Sequence, residues 1–138
     1  TNYPMTPEEL AALHLRASAS PWSKESFASQ LAQDGTLFTF EAHAFALGHA
    51  VLDEAELLQI ATDIDHQRQG HAKRILSGFE TQARENGCAR AFLEVAQSNV
   101  AAIALYTAAG WILNGRRKGY YKYSDGAHED ALLMSKDL

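Results

Sequence analysis

The chain has 138 residues, 46% of them hydrophobic and 21% charged. It is long enough to bury a core and is read as a single domain, residues 1–138. No run approaches the roughly 18 apolar residues of a membrane span, and the start lacks the basic-then-apolar pattern of a secretory leader, so a cytoplasmic chain with no membrane partner is expected. Net charge is −5, which disfavours direct nucleic-acid binding, and the lone Cys88 excludes an internal disulfide.

Pro7-Glu8-Glu9 suits a helix start, with acids in the first turn and Leu10, Leu13 and Ala17 as its apolar stripe. Pro21-Trp22-Ser23 breaks that helix. Ser23 is placed to cap a second one that buries Phe27 and Leu31 and ends at Asp34-Gly35. Residues 36–40, 43–52 and 55–62 read as three strands of an antiparallel meander, with turns at Glu41-Ala42 and Asp53-Glu54. Ala72, Ile75, Leu76, Phe79 and Ala83 fall at helical spacing, and Gly87 supplies a stop. Residues 90–95 form a short buried strand. Ser98 or Asn99 then caps a helix expected to turn Val100, Ile103, Ala104 and Leu105 inward and to end at Gly110. Residues 111–113, 120–123 and 131–135 are expected strands of a closing hairpin, with Ser124-Asp125-Gly126 at its turn. The order α-α-β-β-β-α-β-α-β-β predicts a mixed α/β fold, one sheet with helices on both faces.

The segment Gln67-Arg68-Gln69-Gly70-His71-Ala72-Lys73-Arg74-Ile75-Leu76 places a polar, glycine-containing turn between the apolar run at residues 57–61 and a helix. Backbone N–H groups at such a helix start can converge on phosphate oxygens, and Arg68, Lys73 and Arg74 add local positive charge. A polar loop with a solvated basic helix face is the plainer reading. The glycines of a P-loop or a dinucleotide fingerprint are missing. Glu94 interrupts the apolar run Ala91-Phe92-Leu93-Glu94-Val95, either as a general base or as a solvent-facing or ion-paired carboxylate. Tyr106 is either a proton donor or a packed aromatic at a helix end, and Asn99 a ligand contact or a helix cap. His43 and His49, six apart, share a face of the second strand. No carboxylate or cysteine is spaced to complete a site with them, so no metal is expected. Cys88 has no spaced histidine partner, which argues against a nucleophilic thiol.

Four blocks carry a resemblance. They are Gln67-Arg68-Gln69-Gly70-His71-Ala72, Leu93-Glu94-Val95-Ala96-Gln97-Ser98-Asn99, Ala101-Ala102-Ile103-Ala104-Leu105-Tyr106 with Ala109-Gly110-Trp111, and Tyr120-Tyr121 through Asp125-Gly126 to Glu129-Asp130-Ala131. In order and at this spacing the chain resembles the GNAT family of N-acetyltransferases, most closely its ribosomal-protein-alanine N-acetyltransferase branch. The likeness covers residues 36–135 well, and residues 1–35 mainly at Pro21-Trp22-Ser23. It implies the GNAT fold, a mostly antiparallel twisted sheet with a splayed strand pair, and direct acetyl transfer from acetyl-CoA to a protein N-terminal amine. It also implies that Glu94 and Tyr106 act as base and acid. Arg68, Gln69, Gly70, His71, Ala72 and Lys73 would hold the pyrophosphate; Ile60, Ala61, Thr62 and Asn99 would hold the acetyl-pantetheine arm. The acceptor side would come from Pro21-Trp22-Ser23, the turn at residues 41–43 and the hairpin at 116–123. The family carries Gly-x-Gly or Gly-x-Ala in the loop; Ala72 takes the second slot, leaving room for close approach without access to positive φ. A small amine, a lysine side chain and a non-catalytic acyl-CoA-binding role are the alternatives.

Overall fold

The computed structural model describes residues 5–18 and 22–138; the expected break at Pro21 lies outside them. Helix α1 (Pro7–Ala17) starts on a reciprocal cap, in which Thr6 accepts from the Glu9 N–H while the Glu9 carboxylate accepts from the Thr6 N–H. Helix α2 (Lys24–Leu31) starts on Ser23, whose hydroxyl accepts from the Ser26 N–H at 3.2 Å. The other elements are β1 (Thr36–Glu41), β2 (Ala44–Val51), β3 (Glu54–Thr62), a 3-10 turn (Ile64–His66), α3 (His71–Glu85), β4 (Arg90–Ala96), α4 (Val100–Ala108), β5 (Ile112–Lys122) and β6 (His128–Asp137).

The strands form one six-stranded sheet in the order β1-β2-β3-β4-β6-β5. All its pairs are antiparallel except β3 with β4. Alternation along β2 divides the core. Ala44 and Ala46 face a cluster built on Ile75, Leu76, Phe79 and Ala83 of α3. Phe45 and Leu47 face a cluster with Leu10 and Leu13 of α1 and Phe27 of α2. Both faces are therefore covered by helices, and the expected mixed α/β architecture is the observed one.

One irregularity positions everything that follows. Leu47 pairs with Gln59 and Gly48 with Leu57, so Leu58 is an extra residue in β3. Such a bulge bends and twists the strand that carries it. It also changes which face each side chain meets: Ala55 and Leu57 before it and Ile60 after it all pack with the α3 cluster. The parallel pairing of β3 with β4 runs only from Glu54–Arg90 to Glu56–Phe92. Beyond that point the two strands part. Gly48 lies opposite the bulge, where a Cβ would stand 2.4 Å from the Glu56 carbonyl oxygen and 2.4 Å from the Phe79 ring. No larger residue fits without moving α3 or the sheet.

Two expectations are corrected. Val100 is 72% exposed and Ala104 is exposed as well, while Ile103 and Leu105 are half-buried. Tyr106 is the buried residue of α4. The helix covers the parting of β3 and β4, so Ala101, Ala102 and Leu105 line a cavity there instead of a packed core. The two short strands expected at residues 111–113 and 120–123 are one strand, β5, running through Gly115 and Gly119. Its register against β6 shifts between Leu113 and Gly115 and again between Arg117 and Tyr121. The long ladder with β6 holds a segment of weak β-propensity, and its arginines and lysines suit an exposed sheet edge.

A buried polar knot ties α3 to the last strands. Glu80, buried, accepts from the Trp111 indole N–H at 3.1 Å and from Lys136 Nζ at 2.6 Å; Lys136 also donates to the Ala109 carbonyl at 2.7 Å. Removing the carboxylate strands a buried indole N–H and an ammonium. Glu80→Ala is therefore expected to cost about 3 kcal/mol and to lower Tm by roughly 10 °C in a thermal melt; an unchanged Tm would show that the knot does not hold the fold.

Candidate active site

The parting of β3 and β4 opens a cavity of about 510 Å³. Its walls include residues 57–61 of β3, residues 93–96 of β4, Asn99, Ala102, Tyr106, Tyr121 and Tyr123. A second cavity of about 550 Å³ shares Ile60, Ala61, Asn99 and Ala102 with the first and runs on to Thr62, Gln67, Arg68, Gly70, His71, Ala72 and Lys73. Together they form one groove from the centre of the sheet to the start of α3. Past Glu56 the β3 backbone has no β4 ladder to pair with, so its peptide groups can meet an extended ligand bearing amides of its own.

The groove thus gathers Ile60, Ala61, Thr62, Arg68, Gly70, His71, Ala72, Lys73, Glu94, Asn99 and Tyr106. Gln69 is exposed and lies outside the lining. At the loop, Gly70 precedes α3 with φ of 82°, and no side chain caps the helix. The first-turn N–H groups of α3 are left to face whatever enters the groove, with the positive end of the helix dipole behind them. Arg68 also has a positive φ, 64°. Of the three loop cations, Arg74 is already engaged. Its Nε donates to Glu41 Oε2 at 2.9 Å, while His71 Nδ1 meets Glu41 Oε1 at 2.7 Å. The guanidinium and the imidazole hold the Glu41 carboxyl at about 2, far below its ordinary range. The turn at residues 41–43, expected on the acceptor side, accordingly sits against the loop that leads into α3.

Glu94 lies on the face of β4 opposite Leu93 and Val95, both of which are buried in the α3-side cluster. Its Oε1 stands 3.1 Å from Arg117 Nε, and the guanidinium lies 5.4 Å from the Tyr120 ring centroid. The ion-paired reading of Glu94 is thus part of the observed geometry. Burial and the charge of Glu94 push the Glu56 carboxyl up, and the same two causes push up the Tyr121 phenol. Glu94 lines the groove together with Tyr121 and Tyr123. Tyr106 packs against Trp111, ring centroids 5.9 Å apart, and burial pushes its phenol well above the ordinary value. It stays protonated wherever a thiol has begun to ionise. Asn99 does cap α4, Oδ1 accepting from the Ala102 N–H at 3.2 Å, which leaves its amide N–H groups as separate donors.

Some of this was not legible in the residue pattern. In the sequence Arg117 enters only as part of the hairpin expected at residues 116–123, and nothing local pairs it with Glu94. Buried His14 accepts from the Trp22 N–H at 2.9 Å and lines the groove. His43 lies in the turn before β2, off the strand it was expected to share with His49. It stacks on His66 instead, centroids 3.5 Å apart.

The chain with this split sheet and groove belongs to the acetyltransferase (GNAT) family, whose model matches residues 7–111. It is an N-acetyltransferase of a family that takes acetyl-CoA as its acetyl donor. Among its relatives, the [ribosomal protein bS18]-alanine N-acetyltransferase of Escherichia coli strain K12 is 42% identical over 136 residues, covering 91% of this chain and 88% of that one. The crystal structure of the Escherichia coli ribosomal-protein-S18-alanine N-acetyltransferase superposes with a TM-score of 0.82 at 39% identity, over 92% of this chain and 84% of that one. A Bacillus subtilis acetyltransferase solved in complex with CoA shares the fold, with a TM-score of 0.76 at 18% identity, over 100% of this chain and 93% of that one.

The Glu41 tether has a definite pH signature. A carboxyl held low in the folded state stabilises it fully above its ordinary value, and that contribution is lost as pH falls from about 4.5 towards about 2. The difference in urea-unfolding free energy between the native chain and Glu41→Gln should shrink as pH falls below that upper limit. A difference that does not change with pH would mean that the ion pair contributes nothing.

Proposed function

We propose that this chain acetylates a protein N-terminus, with the N-terminal alanine of the ribosomal protein bS18 as acceptor, by direct transfer from acetyl-CoA in a ternary complex. The single observation that carries this reading is the groove itself. It joins the unpaired edge of β3 to the start of α3 on one side and opens at Glu94 on the other. The bS18 relatives, 42% identical over most of the chain, supply the acceptor. A ribosomal acceptor places the reaction in the cytoplasm, with the chain acting as one transferase domain.

The residues fit acetyl-CoA. First-turn amides of α3 with Arg68 and Lys73 suit a pyrophosphate, Gly70 and Ala72 leave room for it, and the free edge of β3 at Ile60, Ala61 and Thr62 suits the amides of the pantetheine arm. Bound there, acetyl-CoA supplies the activated thioester. A β3 N–H beside its carbonyl stabilises the negative charge that grows on oxygen. Glu94 removes a proton from the attacking amine, directly or through one water, as the new C–N bond forms. When the C–S bond breaks, Tyr106 donates its phenolic proton to the departing thiolate. The acceptor's ammonium meets Glu94 where Arg117 now lies, so the internal ion pair yields to the incoming cation.

Amine basicity favours an N-terminus over lysine. An α-amine with a pKa near 8 is about one-tenth neutral at pH 7, against a few parts in ten thousand for lysine at about 10.4, a gap of about 3 kcal/mol in deprotonation. One carboxylate base closes the smaller gap more readily.

Acetylation is tested by mass spectrometry on three acceptors: a peptide with the bS18 N-terminus, the same peptide with a blocked α-amine and an internal lysine, and a set of small amines. Modification of the free α-amine alone is expected, and turnover confined to lysine or small amines would contradict the proposal. Glu94→Gln is expected to lower kcat/KM by about 10²-fold or more and Tyr106→Phe by about 10-fold or more, with acetyl-CoA affinity kept. Unchanged rates in both variants would remove the assigned roles.

A further inference from the structure

We propose that His43, Asp63 and His66 form a binding site for a divalent transition cation of the zinc or cobalt class. The three residues come from separate elements. His43 sits in the turn between β1 and β2, Asp63 directly follows β3, and His66 closes the 3-10 turn. One nitrogen from each imidazole and one carboxylate oxygen all lie within 4.8 Å of one another. None of the three residues is exposed. Two imidazoles and a carboxylate are a donor set that suits these cations, leaving a further position for water or another ligand.

Two further observations bear on the site. His66 Nδ1 is buried and has no hydrogen-bond partner among the described residues, a costly condition for a ring nitrogen. The frame around the ligands is already fixed, because the Asp63 N–H donates to the His43 carbonyl at 2.7 Å and the Asp65 N–H donates to Asp63 Oδ1 at 3.3 Å. The site is not closed as it stands. The rings of His43 and His66 lie parallel, 7° apart, so their in-plane lone pairs run side by side. Zinc–nitrogen bonds of about 2.0–2.1 Å set ligand atoms roughly 3.4 Å apart, so binding requires the two rings to turn until their lone pairs converge on one point.

Charge around the site permits this. Arg16 reaches Asp63 Oδ1 at 3.2 Å but holds Asp65 Oδ2 more closely, at 2.7 Å. It can keep Asp65 while a cation takes Asp63. His71 lies edge-on to both rings at 6.2 and 6.3 Å, with its Nδ1 committed to Glu41. A bound cation would staple the β1–β2 turn to the segment that leads into Gln67 and Gly70, and so stiffen the phosphate-facing loop from outside the groove.

The test uses the full chain without a polyhistidine tag, stripped of metal with a chelator and then titrated with Zn²⁺ and Co²⁺. One equivalent should bind, with the visible absorption of low-coordinate cobalt. In the unmodified chain, the imidazole nitrogen resonances of His43 and His66 should shift on adding Zn²⁺ while those of His49 and His128 do not. His43→Ala and His66→Ala should each weaken binding by at least ten-fold, and His49→Ala should leave it unchanged. Absence of Zn²⁺ binding, binding that survives the double replacement of His43 and His66, or shifts confined to other histidines would each overturn the proposal.

Discussion

The parting of β3 from β4 is the constraint on which the rest of the structure depends. Three residue pairs, from Glu54–Arg90 to Glu56–Phe92, bring the strands together, and one extra residue, Leu58, turns β3 away. The bulge is held from behind by close packing. Phe79 of α3 and the Glu56 carbonyl crowd Gly48 so tightly that no side chain could stand there. The sheet therefore opens at a defined place, and the cost of unpaired backbone is concentrated where a ligand can offset it. Helix α4 is positioned by the same opening. Its apolar side faces the groove, which explains why so hydrophobic a helix contributes a single buried side chain, Tyr106.

Charge is distributed around this opening in two separate sets. At the start of α3, Arg68 and Lys73 line the groove while Arg74 is tied to Glu41, so the loop keeps two cations for a ligand and spends the third on its own anchoring. At the other mouth Glu94 holds Arg117 within an acidic and phenolic surround that includes Glu56 and Tyr121. Glu129 fixes the neighbouring hairpin by accepting from the Ser98 N–H and from the Tyr123 hydroxyl. The end at the start of α3 is thus basic and built from one continuous stretch of chain. The end at Glu94 mixes charges and is assembled from strands distant in sequence.

That contrast explains what could be read from the residues. The caps at Ser23 and Asn99, the amphipathic face of α3 and the loop from Gln67 to Lys73 depend on neighbours a few positions away, and all were legible. The three-strand meander was equally plain, because alternation along β2 serves two cores at once. The burial of α4 was misjudged because periodicity does not distinguish a face packed on a core from one lining a cavity. The continuity of β5 escaped because Gly115, Lys118 and Gly119 are poor strand formers held in place by β6. Contacts such as Arg117 with Glu94, or His43 with Asp63 and His66, join elements through the fold and leave no local trace.

A ligand seated on the open edge of β3 would reach the start of α3 through one continuous groove. Backbone hydrogen exchange with and without acetyl-CoA tests this most directly. Slowed exchange at residues 58–62 of β3 together with residues 68–73 is the predicted result, since the cofactor would pair the free edge and the first-turn amides at once. Protection confined to other parts of the sheet, or protection at the loop with none along β3, would contradict it.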